Sequence, residues 1–326
     1  MPQTLELQPF DRTNSEHIRA ATDVWNSAVN VCLTISADFL AYNATPATGL
    51  SQEGRIALLD GDPAGFVLAS VLPDEPLVTP PSLGWVDAIA VSLAARQQGI
   101  GAELLEWAEQ WLAEQGCTAV TLGSSIRPFT PGLPVELRSE EFFTKRGYAN
   151  PPGEETRQTV WDVSASLAGY TPPRSVHEID GAVRPAHPGD EDALFAFLRR
   201  EFPGRWRYEM EEYLHGGGRI SDVMLLWTER GVDGFCQLTF EDSPRPMERY
   251  YPYSLPRPWG QLGPIGVSED SRGRGYGAAL LDAGLRRLHD NGVNGCVIDW
   301  TGLLDFYGKF GFTPYREYVR LIKRLA

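Results

Sequence analysis

The sequence is short of the residues that mark several protein classes. Its 326 residues include only four cysteines, Cys32, Cys117, Cys236 and Cys296, with no Cys-x-x-Cys spacing, and only five histidines. That scatter excludes a disulfide framework and a zinc site built from neighbouring ligands, so no metal is expected and the four thiols read as reduced core residues. No apolar run approaches the roughly 20 residues needed to cross a bilayer, and Met1 to Glu6 contain neither a basic n-region nor an apolar h-region. Basic runs are absent too: 29 Lys and Arg stand against 43 Asp and Glu, a formal charge of −14. Binding to DNA, RNA or an anionic membrane needs clustered Lys and Arg, so those partners are not expected. A cytoplasmic protein, monomeric or homodimeric, acting on a neutral or cationic small molecule is the expectation.

What the chain does contain is a repeat. Ser271-Arg272-Gly273-Arg274-Gly275-Tyr276-Gly277 follows the apolar segment Leu262 to Val267 and opens an apolar-periodic helix, Ala278 to Leu288. Glycines at such a turn let the backbone approach a ligand, and the unpaired N–H groups of the helix start suit an anion such as phosphate. Arg96-Gln97-Gln98-Gly99-Ile100-Gly101 repeats the layout 176 residues earlier (272 − 96), after Trp85 to Val91 and before the helix Glu103 to Glu114. Each copy is followed by an aromatic pair and a Gly-aromatic: Phe306-Tyr307-Gly308-Lys309-Phe310-Gly311-Phe312, and Phe142-Phe143-Thr144-Lys145-Arg146-Gly147-Tyr148. Upstream, each half starts with a short strand ending in proline (Pro9, Pro185), an amphipathic helix (His17 to Val29; Asp190 to Glu201) and a hairpin turning at Asp60-Gly61-Asp62 or Arg230-Gly231.

Hydrophobic content of 42% suffices for two cores. The order of elements predicts an α/β chain of two tandem domains, each a mixed, mostly antiparallel twisted sheet flanked by helices. The expected division is 1–165, a linker at 166–181 without periodicity, and 182–326. The first half carries about a dozen extra residues, placed in the irregular Gly123 to Arg138, either packing locally or reaching toward the other domain.

Both halves resemble the GNAT superfamily of acetyl-CoA-dependent N-acetyltransferases, whose pyrophosphate loop reads Arg/Gln-x-x-Gly-x-Gly/Ala and whose later helix carries Leu-Tyr-x-x-x-Gly-Phe. The resemblance implies that acetyl-CoA is held in the second half by Ile265, Gly266, Val267, Arg272, Gly273, Arg274, Gly275, Tyr276, Gly277 and Ala278, and in the first by Ile89, Val91, Arg96, Gln98, Gly99, Gly101 and Ala102. It implies Tyr307 as general acid; a phenol stays protonated at pH 7 and can protonate a thiolate. Phe143 stands at the equivalent position and cannot donate a proton, so the first domain is expected to be degenerate and the second catalytic.

Asp299 is the first candidate base, with Glu241, Asp242 and Asp87 as others. Trp206 with Tyr208, Trp259 and Trp300 are expected to line the substrate cleft, because aromatic faces beside carboxylates suit a sugar ring bearing an amine. The expected activity is direct acetyl transfer to a primary amine of a small molecule, with an amino sugar favoured by resemblance to tandem glucosamine/glucosaminide N-acetyltransferases. Mycothiol-synthase-like acetylation of a thiol-bearing amino-sugar conjugate, and a non-catalytic acetyl-CoA sensor, are the alternatives.

Overall fold

The computed structural model describes residues 4–29, 33–154, 158–174, 176–245 and 254–325. Its first elements are β1 (Leu5–Pro9), α1 (Ser15–Ala28), α2 (Ala37–Asn43), β2 (Ser51–Leu59), β3 (Asp62–Val71), β4 (Leu83–Val91), α3 (Ile100–Glu114), β5 (Ala119–Leu122), β6 (Leu133–Pro134), α4 (Glu140–Thr144) and β7 (Thr159–Ser166). There follow β8 (Ala182–Pro185), α5 (Glu191–Glu201), α6 (Arg205–His215), β9 (Val223–Thr228), β10 (Gly231–Phe240), β11 (Trp259–Val267), α7 (Tyr276–Asp290), β12 (Gly295–Thr301), α8 (Leu304–Gly308), β13 (Thr313–Val319) and β14 (Ile322–Arg324).

The chain forms two compact units: among the described residues, unit 1 holds those within 1–160 and 317–326, and unit 2 those within 161–247 and 253–316. The expected boundaries are crossed at both ends. In unit 1 the sheet runs β1-β2-β3-β4-β5-β14, antiparallel except for β4 and β5. In unit 2 it runs β7-β12-β11-β10-β9-β8, antiparallel except for β11 and β12. The strand beside β5 therefore comes from the chain's end, and the strand beside β12 precedes the segment expected as a linker. That exchange rests on backbone ladders, which carry no side-chain signature.

Helices cover both faces of each sheet, which is why central strands such as β3 are buried nearly throughout instead of alternating. Helix α1 starts at Asn14, whose side chain accepts the Glu16 N–H, and turns Ile18, Ala21, Val24 and Trp25 inward at helical spacing. These residues pack with Phe39, Phe66 and Phe129 on one face of the unit 1 sheet, while Leu104, Leu105, Ala108 and Leu112 of α3 pack on the other. In unit 2, Leu280, Leu281, Leu285 and Leu288 of α7 cover one face and α5 and α6 the other. Phe129 places the Gly123–Arg138 loop in unit 1's own core. Cys117, Cys236 and Cys296 are buried free thiols, and Cys32 lies outside the described residues.

Each sheet opens into a fork of its own. Strands β4 and β5 pair only from Leu83/Ala119 to Val86/Leu122, and the β11–β12 ladder ends at Gln261/Val297. Beyond those points the parallel strands diverge. A bulge interrupts the opposite ladder at the same level: between Val86 and Ala88 in unit 1, and between Leu262 and Ile265 in unit 2.

Candidate active sites at the two sheet forks

In unit 2 the open arm of the fork is Ile265, Gly266 and Val267. Each pairs with β10, through Cys236, Phe235 and Gly234, and none pairs with β12. Successive strand residues direct their N–H groups to opposite edges, so this stretch presents main-chain donors and acceptors to the fork. The chain then turns through Ser268 and a short 3-10 turn at Glu269–Ser271 to the expected cradle. Gly273 and Gly275 adopt φ of +78° and +82°, the left-handed region, and no protein atom closer than 4.0 Å would meet a Cβ at either. The loop thus leaves room at the N-terminus of the fifteen-residue α7, beside the N–H groups of Tyr276, Gly277 and Ala278 that a helix start leaves without an intrahelical acceptor. Arg272 is exposed and 3.9 Å from Glu269; the Tyr276 ring turns into the core, its hydroxyl donating to Asp180 O at 2.9 Å.

Asp299 and Tyr307 meet at this fork. Asp299 is the second residue after the β11–β12 ladder ends, and its Oδ1 accepts the Gln261 Nε2 proton at 2.7 Å. A Cβ built on Gly263, across the fork, would lie 3.6 Å from that oxygen. Tyr307 projects from α8 into the core and is 5% exposed. Burial holds its phenol protonated well above the ordinary range, and the negative charge of Asp299 adds to the effect. Phe306 beside it faces the cradle helix, its ring 4.0 Å from where a Gly277 Cβ would stand.

The aromatic residues divide. Trp300 follows Asp299 with φ of +53°, its N–H donating to Asp162 Oδ1 at 3.1 Å, and the Arg205 guanidinium lies 4.5 Å from its ring centroid. Trp206 sits against the open arm: a Gly266 Cβ would come within 2.8 Å of it. Trp259 is not brought to the fork. It begins β11, four residues before Gly263, which at about 3.3 Å per residue is roughly 13 Å away; it is 8% exposed, with its indole N–H bound to Leu255 O. Tyr208 is a core residue at 4% exposure. Glu241 and Asp242 also fall at the wrong end of β11, Glu241 accepting the Trp259 N–H and Asp242 paired with Arg219 at 2.7 Å.

Unit 1 holds an open cleft of about 720 Å³ at its own fork, lined by Ile89, Val91, Arg96, Gly99, Gly101 and Ala102 but not by Gln98. Gln97 and Gly99 take the same left-handed conformations as Gly273 and Gly275, φ +64° and +88°. Arg96 braces the loop through the carbonyls of Ala28 and Val91. Phe143 is buried edge-on against Phe142 and Tyr148, where no proton is available to the cleft.

Gln261, Asp162 and Asp233 are absent from the residues expected from sequence. Asp233, 1% exposed, accepts from Thr228, Arg230, Ser268 and Ser271 and so anchors the turn that leads into the cradle. Burial pushes its carboxyl up, but the hydrogen bonds from Thr228 and Ser268 and the charge of Arg230 outweigh that and hold it below the usual range. A polar residue inside an apolar strand, such as Gln261 in Trp259–Val267, is the one signal that pointed to these positions.

The chain is similar to known proteins in sequence and in fold. A curated mycothiol acetyltransferase of Nocardia farcinica (strain IFM 10152) is 26% identical over 269 residues, 78% of this chain and 77% of that protein. Among solved structures, the chain superposes with a TM-score of 0.85 at 22% identity on a fungal multi-domain β-N-acetylglucosaminidase described as containing a glucosamine N-acetyltransferase region; 99% of this chain is covered, and it spans 38% of that longer one. A tandem GNAT protein from the clavulanic acid biosynthesis pathway superposes at 0.68 and 13% identity, with 99% of both chains covered. At these identities the structures establish the fold. The model of the acetyltransferase (GNAT) family matches residues 23–148 and 191–312, one stretch at each fork, and the chain belongs to that family as an acyltransferase with two GNAT regions.

Proposed function

We propose that unit 2 transfers acetyl from acetyl-CoA to a primary amine of a small molecule, with an amino sugar as the favoured acceptor class. The observation that carries this reading is the convergence of the open strand Ile265–Val267, the cradle at Gly273–Ala278, the carboxylate Asp299 and the buried phenol Tyr307 on one fork.

In this reading the cradle's backbone holds the donor's diphosphate, and main-chain N–H groups of the open arm polarise the thioester carbonyl. Asp299, held in place by Gln261, accepts the proton of the attacking amine. Tyr307 returns a proton to the departing thiolate; burial keeps the phenol protonated and so holds that proton in place until the thiolate forms. Trp300, with Asp299 next to it, offers an aromatic face and a charge to an amino-sugar ring.

The 26% identical mycothiol acetyltransferase supports a second acceptor, a larger thiol-bearing amino-sugar conjugate. Thiol release from acetyl-CoA, measured with amino sugars, such a conjugate, polyamines, amino acids and aminoglycosides, tests both. Signal with one amine class, reduced about 10²-fold in Tyr307→Phe with acetyl-CoA binding retained, is expected. Turnover unchanged in the variant removes Tyr307 from the mechanism, and calorimetric acetyl-CoA binding without turnover on any amine favours a sensor.

A further inference from the structure

The expectation of an inactive first half rests on Phe143 alone, and its fork contains a group that expectation leaves unused. Asp87 stands at the bulge of β4, 176 residues before Gly263 (263 − 87), which occupies the bulge of β11; Gly123 stands the same distance before Asp299 (299 − 123). Each fork therefore has one carboxylate and one glycine just past its crotch, on opposite arms in the two units.

Asp87 lines the 720 Å³ cleft yet is only 2% exposed. Its Oδ1 accepts from Ser70 on β3 at 2.7 Å and its Oδ2 from Gln52 on β2 at 2.8 Å; Ser125, from the loop after β5, also acts on it, and none of these groups is charged. In a chain of charge −14 the same cleft is lined by Arg96, Arg138, Lys145 and Arg146 against Asp87 and Glu141, the latter paired with Lys145 at 2.6 Å, which leaves a local excess of cations that suits a phosphate-bearing donor.

We propose that unit 1 is a second acetyl-transfer site, in which Asp87 takes the proton of the attacking amine at the point that Asp299 reaches in unit 2. The proposal rests on the family's acetyl-transfer chemistry but not on the reading of unit 2. One C–N bond forms and one C–S bond breaks: the amine nitrogen attacks the acetyl carbon, the sulfur leaves with its electron pair, and the ammonium proton passes to Asp87. Phe143 supplies no acid, so the thiolate, whose parent thiol has a pKa of about 8.5, is protonated by water. Burial raises the Asp87 carboxyl from its ordinary 3.8 to about 6, against the lowering effect of Ser70 and Gln52, which makes it a base that functions near neutrality.

The test starts from a protein disabled in unit 2 by Tyr307→Phe and Asp299→Asn together, assayed for thiol release from acetyl-CoA with glucosamine, spermidine and kanamycin. A residual rate is expected that rises with pH through a midpoint near 6 and falls at least tenfold on adding Asp87→Asn. Gly101→Leu, whose Cβ has ordinary 3.4 Å room beside Phe142, should block the cradle and remove the same rate, keeping the test decisive if the Asp87 variant folds poorly. Without any acetyl-CoA, melting of wild type and Asp87→Asn should differ above pH 6 and coincide below pH 4. No residual thiol release with any of the three amines, a residual that Asp87→Asn leaves within twofold, or melting curves that differ equally at both pH values overturns the proposal. Full turnover of the unit 2 double variant would instead sink the reading of unit 2, leaving the Asp87 comparison to decide this one.

Discussion

The two forks have the same ladders, the same bulge and the same left-handed loop, yet their carboxylates enter from opposite sides. Sterics at the glycine accounts for the choice in each unit. Gly123 has φ of +64°, and a Cβ there would meet the Thr130 carbonyl oxygen at 2.5 Å, so the arm from β5 has no space for a side chain in unit 1. Gly263 has φ of +153°, which L side chains rarely adopt, so the arm from β11 is the unfavourable one in unit 2. Position at the fork is held while the strand that supplies the group changes. Residue-by-residue equivalence across the repeat therefore fails for the carboxylates even where the fold repeats faithfully.

The comparison can be broken most strongly at the aromatic pair. Tyr307→Phe makes unit 2 resemble unit 1 at Phe143, and the expected 10²-fold fall in turnover corresponds to about 2.7 kcal/mol of transition-state stabilisation. Next comes Asp233, whose place in unit 1 is taken by Ala64: the carbonyl of each accepts from the serine after the open strand, Ser268 or Ser92, at 2.9 Å. Asp233→Ala leaves the hydroxyls of Thr228 and Ser268 without their shared acceptor, so a loss of about 2–3 kcal/mol in chemical unfolding and weaker acetyl-CoA binding are expected. Unchanged stability would mean that the turn holds itself.

Asp87→Asn sharpens the comparison through pH. Because the folded carboxyl has the higher pKa, its favourable contribution is complete below about pH 4 and is lost as pH rises through about 6. The variant should therefore gain on wild type above pH 6, by no more than about 3 kcal/mol, and the gain should vanish in acid. Gly266→Ala is expected to have the smallest effect. Its Cβ would come within 2.6 Å of the Phe202 ring, so a loss of about 1–2 kcal/mol is expected, whereas unit 1 carries Ala90 at the equivalent position without conflict. Equal tolerance at both positions would mean that Phe202 and Trp206 move aside cheaply.

Much of this was legible beforehand, for a physical reason: glycines at 273, 275 and 99 are demanded by backbone geometry, and aromatic pairs after a strand recur as chemical types. Helices α1, α5 and α7 announce themselves by periodicity. Helices α2 and α6 and the strands β13 and β14 went unread, being short or lacking a clean period. Trp259 looked like a substrate contact because tryptophan near a cofactor strand is compatible with either end of it, and distance along the strand decides which.

The amino-acid sequence by itself determined that the chain is a duplicated acetyltransferase fold with two glycine loops, and with Tyr307 in one half where the other has Phe143, since those depend on residues that must be particular types at particular spacings. Tertiary structure alone decided that β14 completes the sheet of unit 1 and β7 that of unit 2, and that Asp87 and Asp299 stand just past the end of the parallel ladder in their own units, on opposite arms. Strand partners are chosen by backbone hydrogen bonds common to all residues, and a carboxylate's role is set by its surroundings in the fold, neither of which is written at a single position.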